Sequence, residues 1–293
     1  MNWRKKLGEP QAYLYCLPAL VPYTIFWLAP MGYVMYLSFM EWDFINPVKE
    51  FVGIENYVKL FQDQKFYKAL RVSLLFALGN VIPCLAGGLL LALLLHSRIK
   101  GLAIYRTLIF LPWVTPMVAV SIVWAWIFEP RVGLANAVLE FFGFAGLEWT
   151  HSSKTALLAV LIVTVWKGLG WTMVFYLVAL QNIPEHLYEA AMLEGANKFQ
   201  QLIKITLPLV SPTTFFLFLI TTIDSVQAYD QINVLTQGGP AGATRTLLYL
   251  YYESAFQRFE VGEASSVAVV MIVILAIISS LSMYVSRRRI HYV

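Results

Sequence analysis

Apolar residues along this chain come in long blocks separated by shorter polar stretches. Six blocks are long enough to cross a bilayer: residues 12–40, 71–95, 107–128, 155–180, 207–228 and 264–286. About 20 mostly apolar residues make one transmembrane helix, more when it is tilted. Runs such as CLAGGLLLALLL lack the strict alternation of an outer-membrane barrel strand. The pattern therefore predicts an all-α integral membrane protein with six transmembrane helices. The first block follows NWRKK but runs well past the core of a signal peptide, about 7–15 residues, and no small-x-small cleavage site precedes Trp42. It reads as an uncleaved first span.

The polar stretches differ in kind. The segment 41–70 carries Phe51, Ile54, Tyr57, Val58 and Phe61 at helical spacing. That spacing predicts an amphipathic helix lying on the membrane surface against the rim of the bundle, with contact to an outside partner as the alternative. Trp42, Trp124, Trp126 and Trp149 fall near span ends, where indoles settle at headgroup level. The loop 129–154 is short of Lys and Arg, and the loop 229–263 contains the turn-rich LTQGGPAGATRTL.

The segment Ile183–Pro208 is too polar to span and too regular for a random loop. Pro184 suits a first helical turn, with Asn182 as a cap before it and Glu185 near the positive helix end. The helix stops at Gly195, followed by Asn197, and a second begins near Lys198 and runs into Leu207-Pro208. Leu187, Ala191 and Gly195 share one face, small enough for another backbone to approach, while Glu189 and Glu194 lie off it. Such a helix either docks a partner or packs under its own bundle.

Composition agrees with the spans: 59% of residues are hydrophobic and 13% charged, against about 45–50% and about 25% in soluble domains. With the N-terminus inside, the segments 1–11, 96–106, 182–206 and 287–293 hold eleven Lys or Arg (Arg4, Lys5, Lys6, Arg98, Lys100, Arg106, Lys198, Lys204, Arg287, Arg288 and Arg289) against four acids. The positive-inside rule then puts both termini and Ile183–Pro208 in the cytoplasm. Cys16 and Cys84 lie in spans at different depths and are not expected to pair. The net charge of +4 follows topology and gives no reason to invoke nucleic acid. The chain has no P-loop, H-E-x-x-H, C-x-x-C or G-x-S-x-G, and His96, His151, His186 and His291 have no ligand spacing. No catalytic or metal site is expected, and the six spans read as one domain.

Glu189-Ala190-Ala191, then Gly195, then nine residues to Ile205 and Leu207-Pro208, resembles the EAA signature of permease subunits of binding-protein-dependent ABC importers. FVGIENYVKLF, FLPWVTPMVAVSIVWAWIF, VWKGLGWTMVFYLVALQNIPEHLYEAA and VLTQGGPAGATRTLLYLYYESAF are similar to the carbohydrate-importing, MalF/UgpA-like branch, over roughly residues 10–288. The resemblance implies the type I importer permease fold. It divides the chain into 1–69 (tail, first span and external loop), 70–286 (a five-helix core with the coupling segment 183–208) and the basic tail 287–293. It makes Glu189, Ala190, Ala191, Gly195, Ile205, Leu207 and Pro208 the coupling residues for a separate ATPase. It further implies two ATP-binding cassette subunits that hold ATP and Mg, no cofactor in this chain, a second permease chain of the MalG/UgpE-like type and an extracytoplasmic solute-binding protein. The setting is a bacterial inner membrane and the cargo a sugar or sugar-like polyol. A permease for a non-carbohydrate solute is the alternative, and a stand-alone secondary transporter the further one.

Solute sites in transporters lie near the bilayer midplane. Lys167 sits mid-span, where a charge costs about 2.5–3.5 kcal/mol and so faces a cavity or a partner. Gly168 and Gly170 thin the helix beside it, and Trp166 and Trp171 offer faces for a sugar ring. Asp224, Ser225 and Gln227 supply polar groups on the fifth span, and the resemblance points to the same two stretches. Many relatives have a small or neutral residue where Asp224 stands, which suggests a solute contact, a pairing with Lys167, or an interfacial acid. Asn80 reads as an interhelical hydrogen bond.

Overall fold

The computed structural model of the protein describes residues 10–45, 47–96 and 101–289, with side chains over 15–284 of these. The basic residues Arg4, Lys5, Lys6, Arg98 and Lys100, and the end of the basic tail from residue 290, lie outside the described residues. The chain forms two compact units, one of residues up to Asp63 with Tyr251–Val270, the other of Gln64–Leu250 with the C-terminal stretch from Met271.

The first unit opens with α1 (Pro10–Tyr23), a π turn at Thr24–Leu28 and α2 (Ala29–Leu37), which together make one apolar run. Pro30 has no N–H to donate back to Phe26, and the helix widens just before it. A hairpin of two-residue strands follows, β1 (Met40–Glu41) and β2 (Glu50–Phe51), antiparallel with Met40 opposite Phe51. The expected surface helix is α3 (Glu55–Gln62). Its buried side is Asn56 and Leu60 rather than the predicted apolar stripe, of which Val58 and Phe61 stay exposed. The reason is polar: buried Asn56 Nδ2 donates to Ser38 O at 3.0 Å and Met40 O at 2.9 Å, and Tyr57 OH donates to Ser38 Oγ at 2.7 Å. Phe51 lies in β2 instead of on the helix. The Arg258 guanidinium pairs with Glu260 at 2.7 Å and Glu263 at 2.8 Å. Burial opposes its charge, but these carboxylates and Glu253 outweigh that and raise its pKa.

The second unit holds most of the membrane-crossing helices. α4 (Gln64–Leu95) starts seven residues before the expected 71, and α5 (Leu102–Val114) and α6 (Met117–Ile127) follow. Then come α7 (Leu134–Phe141), α8 (Ala156–Gln181), α9 (Glu185–Leu193), α10 (Lys198–Gln201) and α11 (Leu207–Val226). Short helices α12 (Asp230–Leu235) and α13 (Leu247–Tyr252) precede α14 (Val261–Arg289), whose residues up to Val270, like the end of α13 from Tyr251, belong to the first unit. Among the described residues, five runs of helix are long and apolar enough to cross a membrane, and six if the bent pair α5–α6 counts as one. The expected third span is built as that bent pair, whose axes meet at 99°. The cause is local. Thr115 precedes Pro116 and is held extended at φ −74°, ψ 142°, which no α-helix can pass through.

The core of this unit is Ala92 and Leu95 of α4, Met173, Tyr176, Leu177 and Leu180 of α8, and Val210 and Leu217 of α11. Cys84 is buried and Cys16 exposed, both as free thiols. Trp149 is no interfacial anchor. Only 8% exposed, it stacks on Phe128 and donates from Nε1 to Asn136 Oδ1 at 2.7 Å. Asn136 organises the loop 129–154 by also donating to Pro130 O and Leu147 O. The loop 229–263 likewise contains short helices that turn-rich composition does not reveal.

Candidate functional site

Two features of the second unit are built for work, one at the end of α8 and one between its middle and the broken span.

The segment after α8 is two helices around a bend. Asn182 closes α8 through its backbone N–H to Val178 O and Ala179 O, and the N-cap of α9 is Pro184, with no side-chain cap. This corrects the expectation that Asn182 caps the following helix: Ile183 is buried against the core, so the chain leaves α8 before α9 begins. α9 ends in a Schellman closure, with Ala196 N–H on Ala191 O at 2.8 Å and Gly195 N–H on Met192 O at 3.0 Å. Gly195 adopts φ +82°, a left-handed conformation that a side chain resists. Asn197 then opens α10 with a reciprocal capping box to Gln200, both bonds at 2.9 Å.

From Lys198 the helix runs unbroken through a π turn at Leu202–Thr206 into α11. Leu207 N–H reaches back to Leu202 O, and Pro208, which has no N–H, follows. The segment's inner side packs on the core through Leu187, Tyr188 and Ile205. Tyr188 OH and Thr206 Oγ1, 2.9 Å apart, tie α9 to the π turn. Its outer side leaves Glu189, Ala190, Gly195, Leu207 and Pro208 exposed and Ala191 half-buried. Met192, Leu193 and Phe199 are exposed beside them, Leu193 to 91%. The two readings of the segment are therefore two sides of one element: Leu187 packs under the bundle, and the Glu189–Ala190 side is free.

The second feature is a cavity of about 480 Å³. Five of the seven sequence-derived pathway residues line it: Lys167, Gly168, Trp171, Asp224 and Gln227. Two do not. Trp166 stands edge-on to Trp124 at 5.4 Å, and Ser225 is buried, accepting from Asn80 Nδ2 at 2.9 Å and donating to Thr221 O at 2.6 Å. Asn80 is the interhelical bond expected of it.

Lys167 does something the sequence does not announce. Its ammonium donates to Pro112 O at 3.0 Å, Trp113 O at 2.7 Å and Thr115 O at 2.9 Å. These carbonyls have no helical N–H partner where α5 stops, Pro112 O accepting also from Thr115 Oγ1 at 2.6 Å, and a cation there also suits the helix dipole. The reach is possible because α8 passes very close to α5. A Cβ on Gly170 would stand 2.3 Å from Ile109 O. With α5 anchored, Trp113 stacks on Trp171 at 4.9 Å and 18° between ring planes, so two indoles form one platform in the wall. Trp113, Tyr229 and Asp230 are lining residues that sequence reasoning missed. Trp113 lay within an apolar block, and only the break exposes it to the cavity.

Residues 84–292 match the family of binding-protein-dependent transport system inner membrane components. The chain belongs to that family. The probable ABC transporter permease protein YurN of Bacillus subtilis is 35% identical over 275 residues, covering 92% of this chain and 94% of the relative. The sn-glycerol-3-phosphate transport system permease protein UgpA of Yersinia pestis is 29% identical, covering 96% and 95%. Among solved structures, a bacterial ABC transporter involved in import of the acidic polysaccharide alginate has a chain that superposes with a TM-score of 0.81 at 23% identity, covering 95% of both chains. At that identity the likeness speaks for the fold, the type I importer permease fold expected of the spans. This permease-family chain is thus an inner-membrane transport component of ABC importers.

Proposed function

We propose that this chain is one of two permease subunits of an ATP-driven importer that carries a sugar or sugar-like polyol across the bacterial cytoplasmic membrane by alternating access. Both termini lie in the cytoplasm, a pair of ATP-binding cassette subunits hydrolyses MgATP, and an external binding protein delivers the solute. The observation that carries the reading is the segment 185–226. A helix, a left-handed bend at Gly195 and a capped second helix continuous with α11 make a lever from a cytoplasmic surface into the membrane. Glu189, Ala190, Ala191 and Gly195 form the surface that meets the ATPase, and Ile205, Leu207 and Pro208 the transmitting end. Small residues admit a close backbone, and Glu189 is free to meet a basic group on the partner.

Carbohydrate is favoured as cargo by the cavity itself: paired indole faces with Asp224, Gln227 and Asp230 around them suit a ring that is apolar on its faces and hydroxylated at its edge. The relative named for sn-glycerol-3-phosphate and the neighbour that imports alginate support the same solute class. The test is purification of the tagged chain from its native host. An ATPase pair and a second permease chain should copurify, and reconstituted complex should take up sugar only with MgATP and the binding protein. Uptake by this chain with no ATPase would sink the reading in favour of a secondary transporter.

A further inference from the structure

The charges around the cavity are unequal in their freedom to act. Lys167 is the one basic residue among the described lining residues. An ammonium has three N–H donors, and all three are spent on Pro112 O, Trp113 O and Thr115 O at 2.7–3.0 Å. It has no donor left for a solute. The acids are the opposite case. Asp224 and Asp230 both line the cavity, and among the described residues neither carboxylate has a hydrogen bond or ion pair in the chain. Thr164 and Gln231, also in the lining, are neutral and bond each other at 3.4 Å. Beside the indole platform of Trp113 and Trp171, the described lining residues offer free acceptors and no free cation.

We propose that the cavity takes a sugar without negative charge, neutral or amino-substituted, and excludes uronates and sugar phosphates. This rests on the carbohydrate reading above and narrows it. Sugar hydroxyls donate well to carboxylates, charge-assisted bonds being about twice as strong as neutral ones. An anionic group would meet two like charges in a low-dielectric wall with its natural counter-ion already engaged. The cargo thereby differs in charge from the solutes in the names of the sn-glycerol-3-phosphate relative and the acidic-polysaccharide neighbour, and Asp224 and Asp230 are the acids that set it.

The test uses the whole purified transporter in nanodiscs, without binding protein, so that the cavity alone is probed. Intrinsic tryptophan fluorescence is titrated at millimolar concentrations with maltose and methyl glucoside, glucosamine, glucuronate and sn-glycerol-3-phosphate. The neutral sugars and glucosamine should give a saturable change that Trp113→Phe removes, and both anions should bind at least about tenfold more weakly. In Asp224→Asn/Asp230→Asn, glucuronate should gain while glucosamine loses. Equal or tighter binding of either anion to the unaltered complex overturns the charge assignment and leaves the sugar reading standing. A response to amino acids or peptides but to no sugar of any charge overturns the sugar reading itself.

Discussion

Lys167 illustrates how a single residue can be visible in a sequence while its task is not. A mid-span Lys was bound to have a partner, and solute or Asp224 were the partners the sequence suggested. Its acceptors turn out to be backbone carbonyls at residues 112, 113 and 115. They lack helical N–H partners only because Thr115 and Pro116 break the third span, and carbonyls carry no residue-type signal at all. Lys167→Met removes all three charged hydrogen bonds, each worth about 1.5–3 kcal/mol. The end of α5 should lose its hold and Trp113 its stacking on Trp171. The expected outcome is a lower melting temperature of the purified complex and uptake reduced by about tenfold or more. Wild-type melting and uptake in this variant would mean the carbonyls find other donors. Gly170 is a stricter case. Gly170→Val would drive a side chain into Ile109 O, where even a Cβ stands at 2.3 Å. Overpacking of this kind costs about 1–3 kcal/mol. Detergent-extracted complex carrying it should unfold at lower temperature, while Gly32→Ala, with nothing within 4 Å of the added Cβ, should not.

At the scale of elements, legibility tracked length and periodicity. Spans two, four and six were readable because each is a long apolar run without an internal turn of chain, and their structural counterparts α4, α8 and α14 overlap those blocks closely. The broken third span was hidden by its even apolarity, since hydropathy records composition and is blind to direction. Two-residue strands such as Met40–Glu41 are too short to show alternation. α7 and the short helices around LTQGGPAGATRTL went unseen because Asn136 and its partners, rather than any repeat, hold the first together. The segment 183–208 was legible almost to the residue at its bend, because the stop and the cap there are made by Gly195 and Asn197 themselves. That permits a graded prediction. Asn197→Ala removes one half of the capping box at a cost of about 0.5–2 kcal/mol. The complex should still assemble and hydrolyse ATP, but solute carried per ATP should fall. Gly195→Trp, which forces a bulky side chain into φ +82°, should abolish solute stimulation of the ATPase altogether. Normal stimulation in Gly195→Trp would remove the bend from the mechanism.

For the whole molecule the spans enclose only part of a pathway. The cavity is lined by the paired indoles and by Asp224 and Asp230, and in the proposed importer a second permease chain completes the pathway. Vesicles holding this chain alone should therefore show no uptake above the leak of protein-free vesicles. Adding the partner permease and ATPase pair should raise ATP hydrolysis, and the binding protein should be needed before sugar accumulates.

The π turn at Leu202–Thr206 has one more consequence. A π turn is an α-helix carrying one extra residue, and each α-helical residue turns the chain by about 100° and advances it about 1.5 Å. The nine residues between Gly195 and Ile205 therefore set an angle as well as a distance. They fix the compass bearing at which α9 points relative to the buried face of α11. Deleting a residue within the π turn would let the helix regularise and leave that bearing nearly unchanged, whereas a deletion in α10 that the turn does not absorb would swing α9 about a quarter turn.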